Sequence, residues 1–352
     1  MNFAHVRFLM IRLSSIGDVL HATAVARSLK RSYPSARLTW LVSPPAHELL
    51  RYNPDIDELL IWDRQAFDQA IADKHFWTAK KLLAQARSLL AGHRFDIVLD
   101  VQDLFLTGLL ARMSGAPRRI GIHERHEFNH LFMTEQAPDI ADPHKVRRYL
   151  SVLSPLGIVP DAPQLILHLP PDLNDFPARF WPAHQIDPTQ PILLVNIRTT
   201  WPDKNWRPEY FAAALRGLSP AVQIVFCGAP ADRRYIEAAR HELPQPTTSI
   251  AGETTLLELA ALIRSATLLL TCDTGPLHIA TALGSPTLSL WGPTLPSIYG
   301  PLQGPHSFIL SPHTCTACCK TKCRFHTNAC MEAIDPSLVS ARLHQLLTNQ
   351  SS

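Results

Sequence analysis

The chain lacks any run of about 18 apolar residues, so no segment is expected to cross a bilayer as a helix. Near its start, Phe8-Leu9-Met10-Ile11 is closed off by Arg7 and Arg12. That stretch is too short for the apolar core of a signal peptide, and export is not expected. There is no GxxxxGK followed by Ser or Thr, which excludes a P-loop nucleotide site. There is no GxGxxG, which weakens a nicotinamide or flavin reading. Charge of one sign is scarce as well. The 33 Lys and Arg against 30 Asp and Glu leave +3, too mild for a general nucleic-acid binder. Cysteine is thin outside one segment: Cys227 and Cys272 stand alone, and the other five of seven lie between 315 and 330. In a cytosolic chain these would be thiols or metal ligands rather than disulfides.

What is present is core material. Hydrophobic residues make up 46% and charged residues 18%, unlike a disordered chain. At about 150 residues per domain, 352 residues suggest two domains.

The pattern alternates strand and helix. The apolar run Arg7–Leu13 is followed by Ser14-Ser15-Ile16-Gly17-Asp18, then by apolar residues at helical spacing from Val19 to Leu29. Further strands are expected at 38–42, 59–62, 95–101 and 119–122, and helices at 79–91, 104–113 and 144–156. Six prolines between His168 and Pro191 read as a linker. Strands then recur at 192–197, 222–227, 267–271 and 287–291, with helices at 208–215, 231–241, 256–265, 276–283 and 336–347. Two βα series imply two doubly wound α/β domains, with ligands at the carboxyl ends of the strands in the cleft between them. The expected boundaries are 1–170, a linker over 171–190, a second domain over 191–335, and a helix and tail over 336–352.

Three motifs carry candidate chemistry. In Ser14–His21, Asp18 falls at a helix start, where the helix dipole keeps it ionised. Such a carboxylate can take a proton from an attacking hydroxyl, or it can simply cap the helix. As a cap alone it would tolerate Asp18→Asn almost without cost. His21 on that helix reads equally well as packing. In Asp273-Thr274-Gly275-Pro276-Leu277-His278, N–H groups at the next helix start can face an anion, and Gly275 permits close approach. A plain cap is the alternative there too. In Thr199-Thr200-Trp201-Pro202-Asp203-Lys204, two hydroxyls and a Lys beside indoles suit a phosphate-bearing ligand; a solvated loop over a buried Trp is the alternative.

These three motifs, in this order and separation, resemble the ADP-heptose:lipopolysaccharide heptosyltransferases of glycosyltransferase family 9. The resemblance runs from Arg7 to the last helix. It implies a GT-B fold of two Rossmann-like domains, acceptor on the first and nucleotide sugar on the second. It implies an inverting transfer of heptose from ADP-heptose to a lipopolysaccharide core-type acceptor, with Asp18 as base. Donor binding would fall to Thr199, Thr200, Lys204, Asp273, Thr274, Gly275 and His278. Acceptor-side candidates are Ser15, Gly17, Arg118, Arg119, Arg125 and His144, the basic ones suiting an acidic inner core. No cofactor is required in such a reaction, because cations and helix dipoles hold the diphosphate. The enzyme would be cytoplasmic and peripheral to the inner membrane, with no nucleic-acid partner.

The alternatives are a GT-B transferase or epimerase using another nucleotide sugar, and a non-catalytic metal-binding interaction protein. The second rests on Cys315, Cys318, Cys319, Cys323 and Cys330 within the Cys-rich segment 313–330, a fair zinc pattern to which His313 and His326 could add. Simple thiols in a loop are the other reading of that segment.

Overall fold

Alternate residues of one short strand set the architecture. After its first residue, strand β1 (Arg7–Ile11) is apolar, and both of its faces are buried. Phe8 and Met10 pack into one core, Leu9 and Ile11 into another on the opposite face. A strand covered on both faces belongs to a parallel sheet between helical layers.

The structure, a computed structural model, describes residues 5–124, 126–315, 317–320 and 322–348. It forms two compact units, Met1–His168 and Leu169–Ser352. The first unit adds β2 (Arg37–Val42), β3 (Glu58–Ile61), β4 (Ile97–Asp100), β5 (Arg118–Gly121) and β6 (Glu135–Gln136). All pairings are parallel, in the order β3-β2-β1-β4-β5-β6. Helix α1 (Ile16–Ser32) follows β1 and buries Val19, Val25 and Leu29 against Phe8 and Met10. On the other face lie α2 (Arg64–Ala72), α3 (Phe76–Ala91) and α4 (Phe105–Met113), the last two through Ala86, Leu90, Leu110 and Ala111.

The expected helix over 144–156 is two pieces. Helix α5 (Lys145–Leu150) runs on as a 3-10 segment, Ser151–Leu156. Pro155 has no N–H for a helical bond, and Gly157 ends the run at φ 74°.

The second unit repeats the plan. Strands β7 (Ile192–Asn196), β8 (Gln223–Cys227), β9 (Thr247–Ser249), β10 (Leu268–Cys272), β11 (Thr287–Trp291) and β12 (His306–Leu310) lie in the order β12-β11-β10-β7-β8-β9. Read from the other edge this is the same winding, with the chain reversing direction across the sheet between its first and fourth strands.

The Pro-rich stretch is no linker. It holds α6 (Phe176–Ala183), with Trp181 buried and its indole N–H donating to Ser265 Oγ at 3.0 Å. Ser265 ends α9 (Leu256–Ser265), which follows α7 (Pro208–Leu215) and α8 (Arg233–His241). Pro177 sits in the first turn of α6, where no N–H bond is lost, and Pro182 is the last residue but one of the helix. Helix α10 (Gly275–Leu283) follows β10. Helix α11 (Pro336–Thr348) is not an appendage: Val339 and Leu343 are fully buried beside Phe211 and Leu215 of α7.

Candidate functional site

In each unit the crevice at the strand-order reversal lies beside the carboxyl ends of the first and fourth strands. The chain leaves β1 through Arg12, Leu13 and Ser14. Leu13 N–H donates to Gln102 Oε1 at 2.6 Å, and Arg12 donates to the Val101 carbonyl at 2.8 Å. The loop after β4 therefore fixes the loop after β1.

Asp18 sits in the first turn of α1, surrounded by donors. Arg12 forms an ion pair with its Oδ2 at 2.7 Å, Ser15 Oγ donates to the same oxygen at 3.0 Å, and Tyr149 donates to Oδ1 at 2.7 Å. Burial pushes the carboxyl up, but Arg12, His21, Tyr149 and Ser15 more than reverse this and hold it well below the ordinary carboxylate range. Oδ1 accepts from Tyr149 alone among the described residues. It keeps a second lone pair for an incoming hydroxyl. Tyr149 is itself raised well above its ordinary value by burial, so it stays a donor.

Of the acceptor-side candidates, Ser15 reaches Asp18 directly, and Gly17 is buried in the same turn. His144 caps α5 through Nδ1 and its ring stands 5.9 Å from that of His21. Arg118 and Arg119 do not join them. They open β5, at the amino end of the sheet, opposite the end where β1 delivers Asp18. Their guanidinium groups are engaged locally, Arg118 with Glu135 at 2.8 Å and Arg119 with the Phe132 and Ala116 carbonyls at 2.7 Å. Arg125 lies outside the described residues. The sequence reading passed over Arg12 and Tyr149. A cation ending an apolar strand was the available signal for Arg12; nothing local marked Tyr149, whose partner lies 131 residues away.

The second unit places its motifs around the carboxyl ends of β7 and β10. Lys204 ends a 3-10 turn, Pro202–Lys204, and its Nζ contacts Asp273 Oδ2 at 2.6 Å. Thr294 Oγ1 donates to the same oxygen at 2.7 Å, and His278 Nε2 stands 3.3 Å from Oδ1. Burial alone would raise Asp273; His278 and Lys204 hold it well below the carboxylate range. Lys204 also lies 4.2 Å over the Trp201 ring, so its stem is fixed while two of its three protons remain for a ligand.

Thr274 caps α10 in extended backbone, and Gly275 is its first residue. The positive end of that helix dipole and its first N–H groups thus open beside Lys204 and Asp273. Thr199 is used differently from expectation. Its hydroxyl donates to the Trp201 carbonyl at 2.6 Å and its N–H to Asn205 at 2.8 Å, so it shapes the loop. Thr200 is exposed.

Of the five clustered cysteines, Cys315, Cys318, Cys323 and Cys330 line one pocket, and Cys319 is not among its walls.

A doubly wound sheet made twice, with a charged carboxylate at one reversal point and a cation-backed helix start at the other, is the build of a GT-B glycosyltransferase. The chain belongs to glycosyltransferase family 9 (heptosyltransferase), whose family model matches residues 83–328. That match begins beyond Asp18, whose assignment stands on its geometry.

Among curated relatives, the chain is similar to lipopolysaccharide heptosyltransferase 3 of Escherichia coli K12, 31% identical over 79% of this chain and 80% of the relative. It is 29% identical to lipopolysaccharide core heptosyltransferase OpsX of Haemophilus influenzae, over 80% of this chain and 78% of that protein. Among solved structures, a family 9 glycosyl transferase from Veillonella parvula superposes with a TM-score of 0.85 at 24% identity, covering 99% of both chains. The ADP-heptose lipopolysaccharide heptosyltransferase II of E. coli gives 0.74 at 20% identity, over 99% of this chain and 100% of that one. These likenesses confirm the GT-B fold.

Proposed function

We propose that the chain transfers a heptose from ADP-heptose to a lipopolysaccharide core-type acceptor in one inverting step. Family membership and the relatives' substrates support the sugar and the acceptor. The observation that carries the mechanism is Asp18, an ionised carboxylate in the first turn of α1 with a lone pair left on Oδ1.

In this reading the acceptor hydroxyl attacks the anomeric carbon from the face opposite the diphosphate. The carbon–oxygen bond to the phosphate breaks and its electron pair leaves with ADP. Asp18 takes the hydroxyl proton. A carboxylate held this far down is a weak base, so the proton moves late, once the forming bond has made the hydroxyl strongly acidic. Charge grows on the diphosphate as the bond breaks, and Lys204 with the start of α10 neutralises it without a metal ion. Asp273 aims Lys204 rather than touching sugar.

No helix of the described residues is long and apolar enough to cross a membrane. A lipid-linked acceptor would place the enzyme at the cytoplasmic face of the inner membrane, attracted by basic surface on its first unit. Complete release from membranes at low salt would overturn that placement.

The deciding experiment is a transfer assay with purified ADP-heptose and a panel of truncated cores, read by product mass. Transfer with ADP release is expected, with ADP competing and UDP not. Transfer from a UDP-sugar and none from ADP-heptose would overturn the proposal.

A further inference from the structure

Segment 311–328 has no helix or strand among its described residues, yet Asn328 donates to the Pro202 carbonyl of the Lys204 turn, and the Ala317 and Cys319 N–H groups donate to the Gly292 and Pro293 carbonyls. Its apolar content does not hold it there, since Phe325 is 54% exposed. Long stretches of this kind need another source of order. Its backbone is turned sharply, with positive φ at Ala317, Cys319, His326 and Asn328.

The turns gather sulfur. Cys315, Cys318, Cys323 and Cys330 line one small pocket with His313, and Cys319 is not in that lining. The backbone N–H groups of Thr327, Phe325, Asn328 and His326 face the Cys323 sulfur. Amides aimed at a sulfur stabilise thiolate, the form that binds metal. Cys330 is buried and shares its pocket wall with Cys315, Cys318 and Cys323. As thiolates, four cysteines lining one pocket would supply negative charge that a cation between them offsets.

We propose that Cys315, Cys318, Cys323 and Cys330 form a structural four-thiolate site for one zinc ion, with Cys319 outside it. Four thiolates are the donor set of a closed tetrahedral zinc site. Among the described residues no three such donors stand already in coordinating array. The ion draws the sulfurs together, and each thiol gives its proton to solvent as its sulfur binds. The doubly negative centre that results is flanked by Lys320, Lys322 and Arg324, all exposed.

The site stands next to the turn that carries Lys204. Asp203 is in the pocket wall, and Asn328 Nδ2 donates to the Pro202 carbonyl at 3.1 Å. Its role is to brace that turn, and it does not depend on which sugar is transferred.

The test uses the full chain purified from zinc-supplemented culture without chelators. Elemental analysis should find about one zinc per chain, with four thiols shielded from a thiol reagent until a chelator releases the metal. Cobalt exchanged into the protein should give thiolate-to-cobalt charge-transfer absorption. Cys323→Ser should lose both zinc and these bands, and Cys319→Ser should keep them. Should Cys323→Ser fail to fold, the wild-type zinc count and thiol shielding decide on their own. A metal-free wild type, a mass lighter by the hydrogens of a disulfide, or cobalt bands that survive Cys323→Ser each overturn the proposal.

Discussion

Asp18 shows how one residue satisfies two readings at once. It does cap α1, receiving the Ser15 backbone N–H at 3.5 Å, but it is also the anion of Arg12. The substitution Asp18→Asn is therefore not neutral, as a cap alone would be. It leaves Arg12, 7% exposed, without its anion. Breaking a buried pair costs about 3–5 kcal/mol, softened here by Arg12's bond to Val101. We expect a lower melting temperature together with a turnover loss of about 10²–10⁴-fold, assayed well below that temperature. Near wild-type turnover in folded protein would remove Asp18 as base. Tyr149→Phe keeps the ring 4.9 Å from Arg12 but removes the donor to Oδ1. That donor lowers the Asp18 pKa, so its loss raises it. The acid limb of kcat/KM should move to higher pH in this variant, whereas in the wild type it lies below the mildly acid range. An unmoved limb would separate Tyr149 from the base.

At the scale of elements, composition misled where prolines cluster. Six prolines from Pro170 to Pro191 marked the stretch as a connection, but Pro177 in the first turn of α6 costs no hydrogen bond, and Trp181 supplies the apolar area that docks α6 on α9. Trp181→Ala should destabilise the second unit by about 3–5 kcal/mol, measured by denaturant titration. A true linker would lose almost nothing. The short strands β6, β9 and β12 escaped sequence reading because two to five residues of ordinary composition carry no periodicity, and their neighbours in the sheet recruit them. The strands β1, β7 and β10 were legible because burial on both faces demands unbroken apolar runs.

For the whole molecule, the division of labour between units predicts separable defects. Lys204→Ala removes a charge-assisted contact worth about 1.5–3 kcal/mol, or about ten- to 150-fold in ADP affinity measured by calorimetry. Asp18→Asn should leave that affinity unchanged, because its contacts lie wholly within the first unit. Equal losses from both variants would contradict the assignment. Stability against pH follows from the buried groups. Asp18 and Asp273 have folded pKa values below the unfolded 3.8, so their stabilisation is present above that pH and lost as pH falls through it. Burial raises Cys227 and Cys272 from 9.0 to about 12, so their contribution is complete below pH 9.0 and declines above it. Urea midpoints should form a plateau between about pH 5 and 9 and fall on both sides.

The sequence alone determined the two doubly wound units and the three motif positions, because strand burial, helix starts and turn chemistry act within a few residues of themselves. It put Asp18, Lys204, Asp273 and Gly275 in the loops and helix starts that follow β1, β7 and β10. It could not tell Arg118 and Arg119 from site residues, since charge says nothing about which end of a strand faces the crevice. The pairing of Lys204 with Asp273 across 69 residues, of Tyr149 with Asp18 across 131, and the sorting of four cysteines from a fifth were decided only when the sheets closed. Those contacts join separate loops, and only the order in which parallel strands assemble brings such loops to one point.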